Sequence, residues 1–157
     1  MRYFIRQAIE SDISALKQLF RQTLAVVNIE DYTSEEIADW VSCGDNDERW
    51  RELVNDYYML VADDRLSDKL AGFSALSSQG YLNSMFVHVD YLDQGVASAL
   101  LNRLEEWAME QHIRVVTADV SITALTFFQK QGFVIEKEQL WKANKLLLKN
   151  YRMSKCL

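Results

Sequence analysis

The sequence predicts a mixed α/β domain built around one sheet that contains both hairpins and helical crossovers. Two observations carry this reading. Three apolar, β-rich runs at 57–64, 69–78 and 81–89 follow one another with only short polar turns between them, as hairpins require. Beyond them, an amphipathic stretch at 96–111 and a shorter one at 123–131 alternate with apolar runs, which reads as strand–helix–strand crossovers. A doubly wound sheet needs strict alternation along the chain, and the three successive strands exclude it.

Residues 3–9, YFIRQAI, read as a first strand, and the following ESD offers a cap. Ile13, Leu16, Leu19, Phe20 and Leu24 then recur at helical spacing, which predicts a helix to about residue 27. TSEEIADWVS opens on Thr33 with Glu36 three residues on, a capping-box pattern, and DNDERWRELV after Gly44 predicts another helical piece. The runs at 57–64 and 69–78 form a hairpin across DRLSD, and Gly80 marks the next corner. Within 81–89, strict alternation puts Met85, Val87 and Val89 on one face and Leu82, Phe86 and His88 on the other.

From 96 to 111, Val96, Leu100, Leu104, Trp107 and Ala108 form an apolar stripe, with Asn102, Arg103, Glu105, Glu106 and Glu110 mostly opposite it. This is a sheet-covering helix. RVVTADVSI predicts a buried strand, TALTFFQKQ a short helix ended by Gly132, and FVIEKEQLW with NKLLLKNYRMSKC a closing pair of strands. The predicted order is β-α-α-β-β-β-α-β-α-β-β, a single domain over residues 1–157.

Bulk properties remove several classes of function. Lys and Arg total 17 against 23 Asp and Glu, a net charge of −6, which argues against a nucleic-acid partner. The N-terminal residues reach charge too early for a signal peptide, and no run approaches the ~18 apolar residues of a membrane span. A soluble, cytoplasmic protein without a membrane partner is expected. Cys43 and Cys156 form no C-x-x-C pair and read as free thiols, while His88 and His112 lack metal-ligand spacing, so no metal site is expected. Nucleophile-elbow and Walker glycine patterns are absent.

The strand at 81–89 joins the helix at 96–111 through LDQGVA, residues 92–97, where Gly95 is the one glycine and no Lys or Arg lies near. A free helix N-terminus carries about half a positive charge and donates backbone N–H groups, so such a turn can grip phosphate without a basic side chain. The loop resembles the [QR]-x-x-G-x-[GA] signature of the GNAT superfamily of acyl-CoA-dependent N-acetyltransferases. It keeps Gly95 and Ala97 and has Leu92 where the family has Gln or Arg. SITALTFFQKQGF, residues 121–133, resembles the family's N-x-x-A-x-x-[FL]-Y-x-x-x-G-F segment. It retains Ala124, Phe127, Gly132 and Phe133, with Ser121 in place of Asn and Phe128 in place of Tyr. LVADD, LAGFSAL and NYRMSK are similar to the YafP-like bacterial branch.

The resemblance implies a mostly antiparallel, splayed sheet and transfer of acetyl from acetyl-CoA, as co-substrate, to a primary amine by direct attack. The alternative is a non-catalytic acyl-CoA-binding or sensor module of the same fold. It further implies that Asp93, Gln94, Gly95, Val96, Ala97 and Ser98 hold the pyrophosphate. Phe86 and Val87 bond pantetheine through their backbones, with Val87 N–H as the oxyanion donor, and Ser121, Phe127 and Phe128 complete the cofactor wall. Asp119 and His88 are the candidate proton acceptors. Tyr151 is the candidate acid in place of the tyrosine missing at Phe128, and Tyr32, Trp40 and Trp50 are candidates for the acceptor pocket. Cys43 has no basic neighbour in sequence to activate it as a nucleophile. A small-molecule or peptide amine is the expected acceptor, and the closing strands are compatible with a homodimer.

Overall fold

The computed structural model describes residues 3–157, so Met1 and Arg2 of the expected domain lie outside the described residues. Strand β1 (Tyr3–Gln7) leads to α1 (Ile13–Val26), α2 (Ser34–Ser42) and α3 (Asp47–Asp56). Three strands follow, β2 (Tyr58–Asp64), β3 (Lys69–Leu76) and β4 (Tyr81–Val87), and then α4 (Val96–Glu110). β5 (Val115–Ser121), α5 (Leu125–Lys130), β6 (Val134–Lys142) and β7 (Leu147–Cys156) close the chain. The expected order is found, with the second helical region divided into α2 and α3.

The seven strands form one sheet in the order β1-β2-β3-β4-β5-β7-β6. Every neighbouring pair is antiparallel except β4 and β5, which run parallel and are joined only at Tyr81–Thr117 and Leu82–Ala118. Past Leu82 the two strands part. α4 and α5 pack on one face of the sheet through Leu100, Leu101, Leu104 and Phe128 over Leu60, Val116 and Met153. The other face takes α1, α2 and α3 through Leu16, Phe20, Leu24, Ile37 and Trp50 over Val61, Phe73 and Leu148. Among the described residues no helix is long and apolar enough to cross a membrane.

Local sequence explains most boundaries. Thr33 Oγ1 accepts the Glu36 N–H at 3.1 Å and Glu36 Oε1 accepts the Thr33 N–H at 2.9 Å, so the expected capping box forms. β1 stops at Gln7, short of the expected residue 9, because Asp12 Oδ2 accepts the Ile9 N–H at 2.8 Å while holding Arg6. Gly44 sits where a Cβ would lie 2.8 Å from the Phe20 ring, so α1 can approach the α2–α3 junction only at a glycine.

Strict alternation fails in β4. The register passes from Ala75–Ser84 to Leu76–Leu82, leaving Asn83 as an extra residue. This bulge turns Leu82 to the α4 face alongside Met85 and Val87, whereas Phe86 faces α1. Val89 belongs to a 3-10 turn at Val89–Tyr91 and not to the strand.

Candidate active site

The parting of β4 from β5 opens a cleft of about 1060 Å3 that runs from the N-terminus of α4, across the split sheet, to the space between α1, α2 and the β6–β7 hairpin. At the α4 end, Gly95 is the N-cap with φ 81° and ψ 10°, and Asp93 before it has φ 58°. No side chain caps this helix, and its first turn holds no acidic residue, so its leading N–H groups are left for a ligand. A Cβ built on Gly95 meets nothing within 4 Å, and Asp93, Val96, Ala97 and Ser98 line the same hollow. Gln94 turns away, its Nε2 donating to Asp90 C=O at 3.2 Å. Leu92 stands 38% exposed at the rim, in the position of the family's Gln or Arg.

One edge of β4 forms the cleft wall. His88 N–H donates to Ala71 C=O at 2.8 Å, and alternation from that bond turns the amides of Ser84 and Phe86 towards β3 and those of Met85 and Val87 towards β5, where no strand pairs with them. The backbone of Phe86 is therefore spent in the sheet, contrary to expectation. Its ring stacks on Phe73 at 5.4 Å and faces the α1 side. The Val87 carbonyl accepts Thr23 Oγ1 at 3.0 Å, which ties α1 to the open edge.

On the opposite wall, Asp119 of β5 lies just past the point where the strands separate. Its Oδ2 accepts the Tyr81 hydroxyl at 2.9 Å, and its Oδ1 accepts Gln139 Nε2 at 2.7 Å. Arg152 Nε stands 2.8 Å from Oδ1 as an ion pair without the alignment of a hydrogen bond. Burial, followed by the charge of Asp119, pushes the Tyr81 hydroxyl well above the usual tyrosine pKa, so it remains a proton donor. Ser121 Oγ accepts the Ala124 N–H at 3.1 Å and Phe127 is a half-buried wall residue. Phe128 is 3% exposed between Phe127 and Phe133, a largely buried side chain at the lining of the cleft.

Two expected catalytic residues are not brought to the cleft. His88 lies on a separate shallow pocket with Arg6, Asp12 and Lys69, and its Nδ1 accepts the Asp90 N–H at 3.0 Å. Tyr151 points to the α4–α5 face, packed against that core. Alternation along β7 produces this, since Leu148 and Asn150 take the α1 face and Tyr151 and Met153 the other.

The far lobe holds the expected aromatic residues, in different roles. Tyr32 donates its hydroxyl to Lys149 C=O at 2.6 Å and accepts the Ile122 N–H at 3.0 Å, and burial pushes its pKa up to about 12. Trp50 is 4% exposed, with Nε1 bonded to Gly44 C=O at 2.9 Å, and serves the core. Trp40 is half-buried, edge-on to Tyr32, Trp141 and Phe86. Cys43 reaches the lobe, but burial and then Asp39 raise its thiol pKa, the reverse of nucleophile activation. Tyr81, Trp141 and Asn150 also line the cleft and no sequence pattern singled them out, because each arrives there through pairing between strands.

A model of the GNAT acetyltransferase domain matches residues 28–155. The chain belongs to the GNAT acetyltransferase family. The N-acetyltransferase YafP of Escherichia coli is 30% identical over 86% of this chain and 83% of its own length. The GCN5-related N-acetyltransferase of Rhodopseudomonas palustris superposes with a TM-score of 0.94 at 25% identity, covering 100% of this chain and 97% of that one. The PaiA N-acetyltransferase of Thermoplasma acidophilum, solved in complex with coenzyme A, shares the fold with a TM-score of 0.82 at 20% identity over the full length of both chains. As a GNAT acetyltransferase the protein is a transferase, and its split sheet beside an uncapped helix start suits a long cofactor that is anionic at one end and amide-bearing along its arm.

Proposed function

We propose that this GNAT acetyltransferase moves an acetyl group from acetyl-CoA to a primary amine by direct attack. The observation that supports it most is the continuity of the cleft from the N–H groups at Gly95–Ser98 along the open amides of Val87 and Met85 to Tyr81 and Asp119. The pyrophosphate lies at the start of α4 and the pantetheine arm takes the place of the strand missing beside β4. Acetyl-CoA supplies the activated acyl group. Because the arm runs from the loop towards the point where the strands join, Val87 N–H meets the arm first. Met85 N–H, one pleat further in, is then the donor that faces the thioester oxygen as negative charge develops there.

The amine attacks the acyl carbon, the C–S bond breaks with its electron pair leaving on sulfur, and the amine sheds a proton. At pH 7 the neutral form of a primary amine of pKa about 10.4 lies about 4.6 kcal/mol above the ammonium. Tyr81 passes this proton on: its oxygen takes it from the amine as its own hydrogen moves to Asp119, 2.9 Å away. The thiol, with a pKa of about 8.5, leaves as thiolate without help from Phe128 or from Tyr151 on the other face.

The second reading, an acyl-CoA sensor, is favoured by one observation, the absence of any hydroxyl at Phe128. Release of free thiol from acetyl-CoA against a panel of amines separates the two, since a sensor binds the co-substrate and returns it intact. Two further assignments accompany the proposal. Free thiols at Cys43 and Cys156 suit a reducing compartment, which supports a cytoplasmic location as part of this reading. The β6 edge exposes Val134, Ile135 and Leu140, which supports pairing of this edge with a second copy. A homodimer mass in solution is the expected result.

A further inference from the structure

The acceptor lobe of the cleft combines three features that together select a chemical class. First, Trp40, Trp141 and Phe86 are each only half-buried although all belong to one aromatic cluster. Trp40 stands 5.7 Å from Trp141 and 6.4 Å from Phe86, both edge-on, and all three line the cavity. Flat apolar walls of this kind suit a ring, which can stack on them or meet them edge-on.

Second, the cleft is short of carboxylates. Asp93 and Asp119 are the ones that line it; the first belongs to the loop before α4, and the second is already engaged by Tyr81, Gln139 and Arg152. Of the cationic residues at the lobe, Arg49 is paired with Glu52, while Lys149, paired with Glu138, and Lys142 alternate onto the face opposite Leu148 and Trp141. A polyamine carries further ammonium groups into this lobe, where no lining carboxylate is free to pair with them, and a buried unpaired charge is costly.

Third, Asn150 lines the cleft on the α1 face, is 7% exposed, and its Oδ1 has no hydrogen-bond donor among the described residues. A polar atom buried this way needs a partner. Its neighbours across the strands are Ser121 on β5 and Gln139 on β6, beside the Asp119 cluster where the amine must arrive. The carboxamide torsion is broad and two-fold, so the group can turn to meet a ligand in the cleft that Asn150 lines.

Resting on the acetyltransferase reading above, we propose that the acceptor is an aromatic primary amine with a single cationic centre, its ring against Trp40, Trp141 and Phe86 and its nitrogen held by Asn150. Asn150 is thus a substrate-positioning residue, and the aromatic wall sets specificity.

The test compares tryptamine and 2-phenylethylamine with spermidine and putrescine on the full chain, reading thiol release, with acetyl-CoA affinity measured separately by calorimetry. A kcat/KM for the aromatic amines about tenfold or more above spermidine is expected. Asn150→Leu should raise KM for tryptamine about tenfold while acetyl-CoA affinity stays unchanged, and Asn150→Asp, which restores an oxygen acceptor, should return KM towards wild type. Trp40→Ala should reduce the preference for aromatic amines. Intact acetyl-CoA binding with spermidine favoured, with no turnover of either aromatic amine, or with unchanged KM in Asn150→Leu overturns this inference alone. Failure of acetyl-CoA to bind overturns the acetyltransferase reading and this inference with it.

Discussion

The carboxylate of Asp39 accepts the backbone N–H of Leu146 at 3.0 Å, which fastens the tip of the β6–β7 hairpin to α2. The neighbouring amides of Asn144 and Lys145 converge on the same carboxylate, and Asn144 Nδ2 reaches Ser42 Oγ at 2.6 Å. One residue on from Asp39 is Trp40, and on the hairpin arm is Trp141, so this cap sets the spacing of the aromatic wall.

Replacing Asp39 with Ala should therefore raise KM for the acceptor several-fold and leave acetyl-CoA affinity alone. The Leu146 and Lys145 amides hold the Asp39 carboxyl below the usual carboxylate range. A depressed folded pKa contributes stability that is complete above the unfolded value of about 3.9 and is lost as pH falls through the folded value. The gap in melting temperature between wild type and Asp39→Ala should be present at neutral pH and close below about pH 4. A gap that persists unchanged into acid would exclude the ionised cap as its source.

At the α4 start, Gly95→Ala and Gly95→Leu carry the same left-handed backbone strain of about 1–2 kcal/mol, but only leucine fills the hollow above it. Acetyl-CoA affinity should fall modestly in the first and be abolished in the second, as read by calorimetry. Equal losses would mean that strain, and not occupancy of the hollow, governs binding.

The two open amides of β4 can be separated by replacing single residues with their α-hydroxy analogues, which remove an N–H without adding bulk. At Met85 the expected outcome is a fall in kcat of about 10²–10³ with acetyl-CoA affinity retained. At Val87 the affinity should drop instead. The reverse pattern would restore Val87 as the oxyanion donor.

Activity should rise with pH through the neutral range, because the attacking amine is the deprotonated form. Tyr81→Phe interrupts the path to Asp119 and should lower kcat at pH 7 by about 10²-fold, with Asp119→Asn giving a comparable loss. If Tyr81→Phe turns over at the wild-type rate across the pH range, the proton leaves directly to water.

Much of the architecture was legible because it depends on local chemistry. The Thr33–Glu36 capping box, the helix of Val96 to Glu110 and the turn at Gly95 each follow from a few adjacent residues. What escaped depends on register. The Asn83 bulge, which no propensity marks, moves Leu82 to the opposite face, and alternation along β7 carries Tyr151 away from the cleft and Asn150 into it. Trp141 meets Trp40, and Asn150 shares the cleft with Tyr81, across long stretches of chain, so no window of sequence holds them together.

With only two residue pairs between β4 and β5, the sheet is nearly two sheets sewn at one stitch. β1 to β4 and β5 to β7 are otherwise held together by the helices packed across both faces, with the Tyr32 hydroxyl tying the segment between α1 and α2 to Lys149 and Ile122. In the proposed binding mode a pantetheine arm would supply rungs that the polypeptide omits, making the ligand a keystone for the halves as well as a reactant. Each catalytic cycle begins and ends with the seam unbraced, and the protein is most easily pulled apart by heat in the interval between losing one co-substrate and gaining the next.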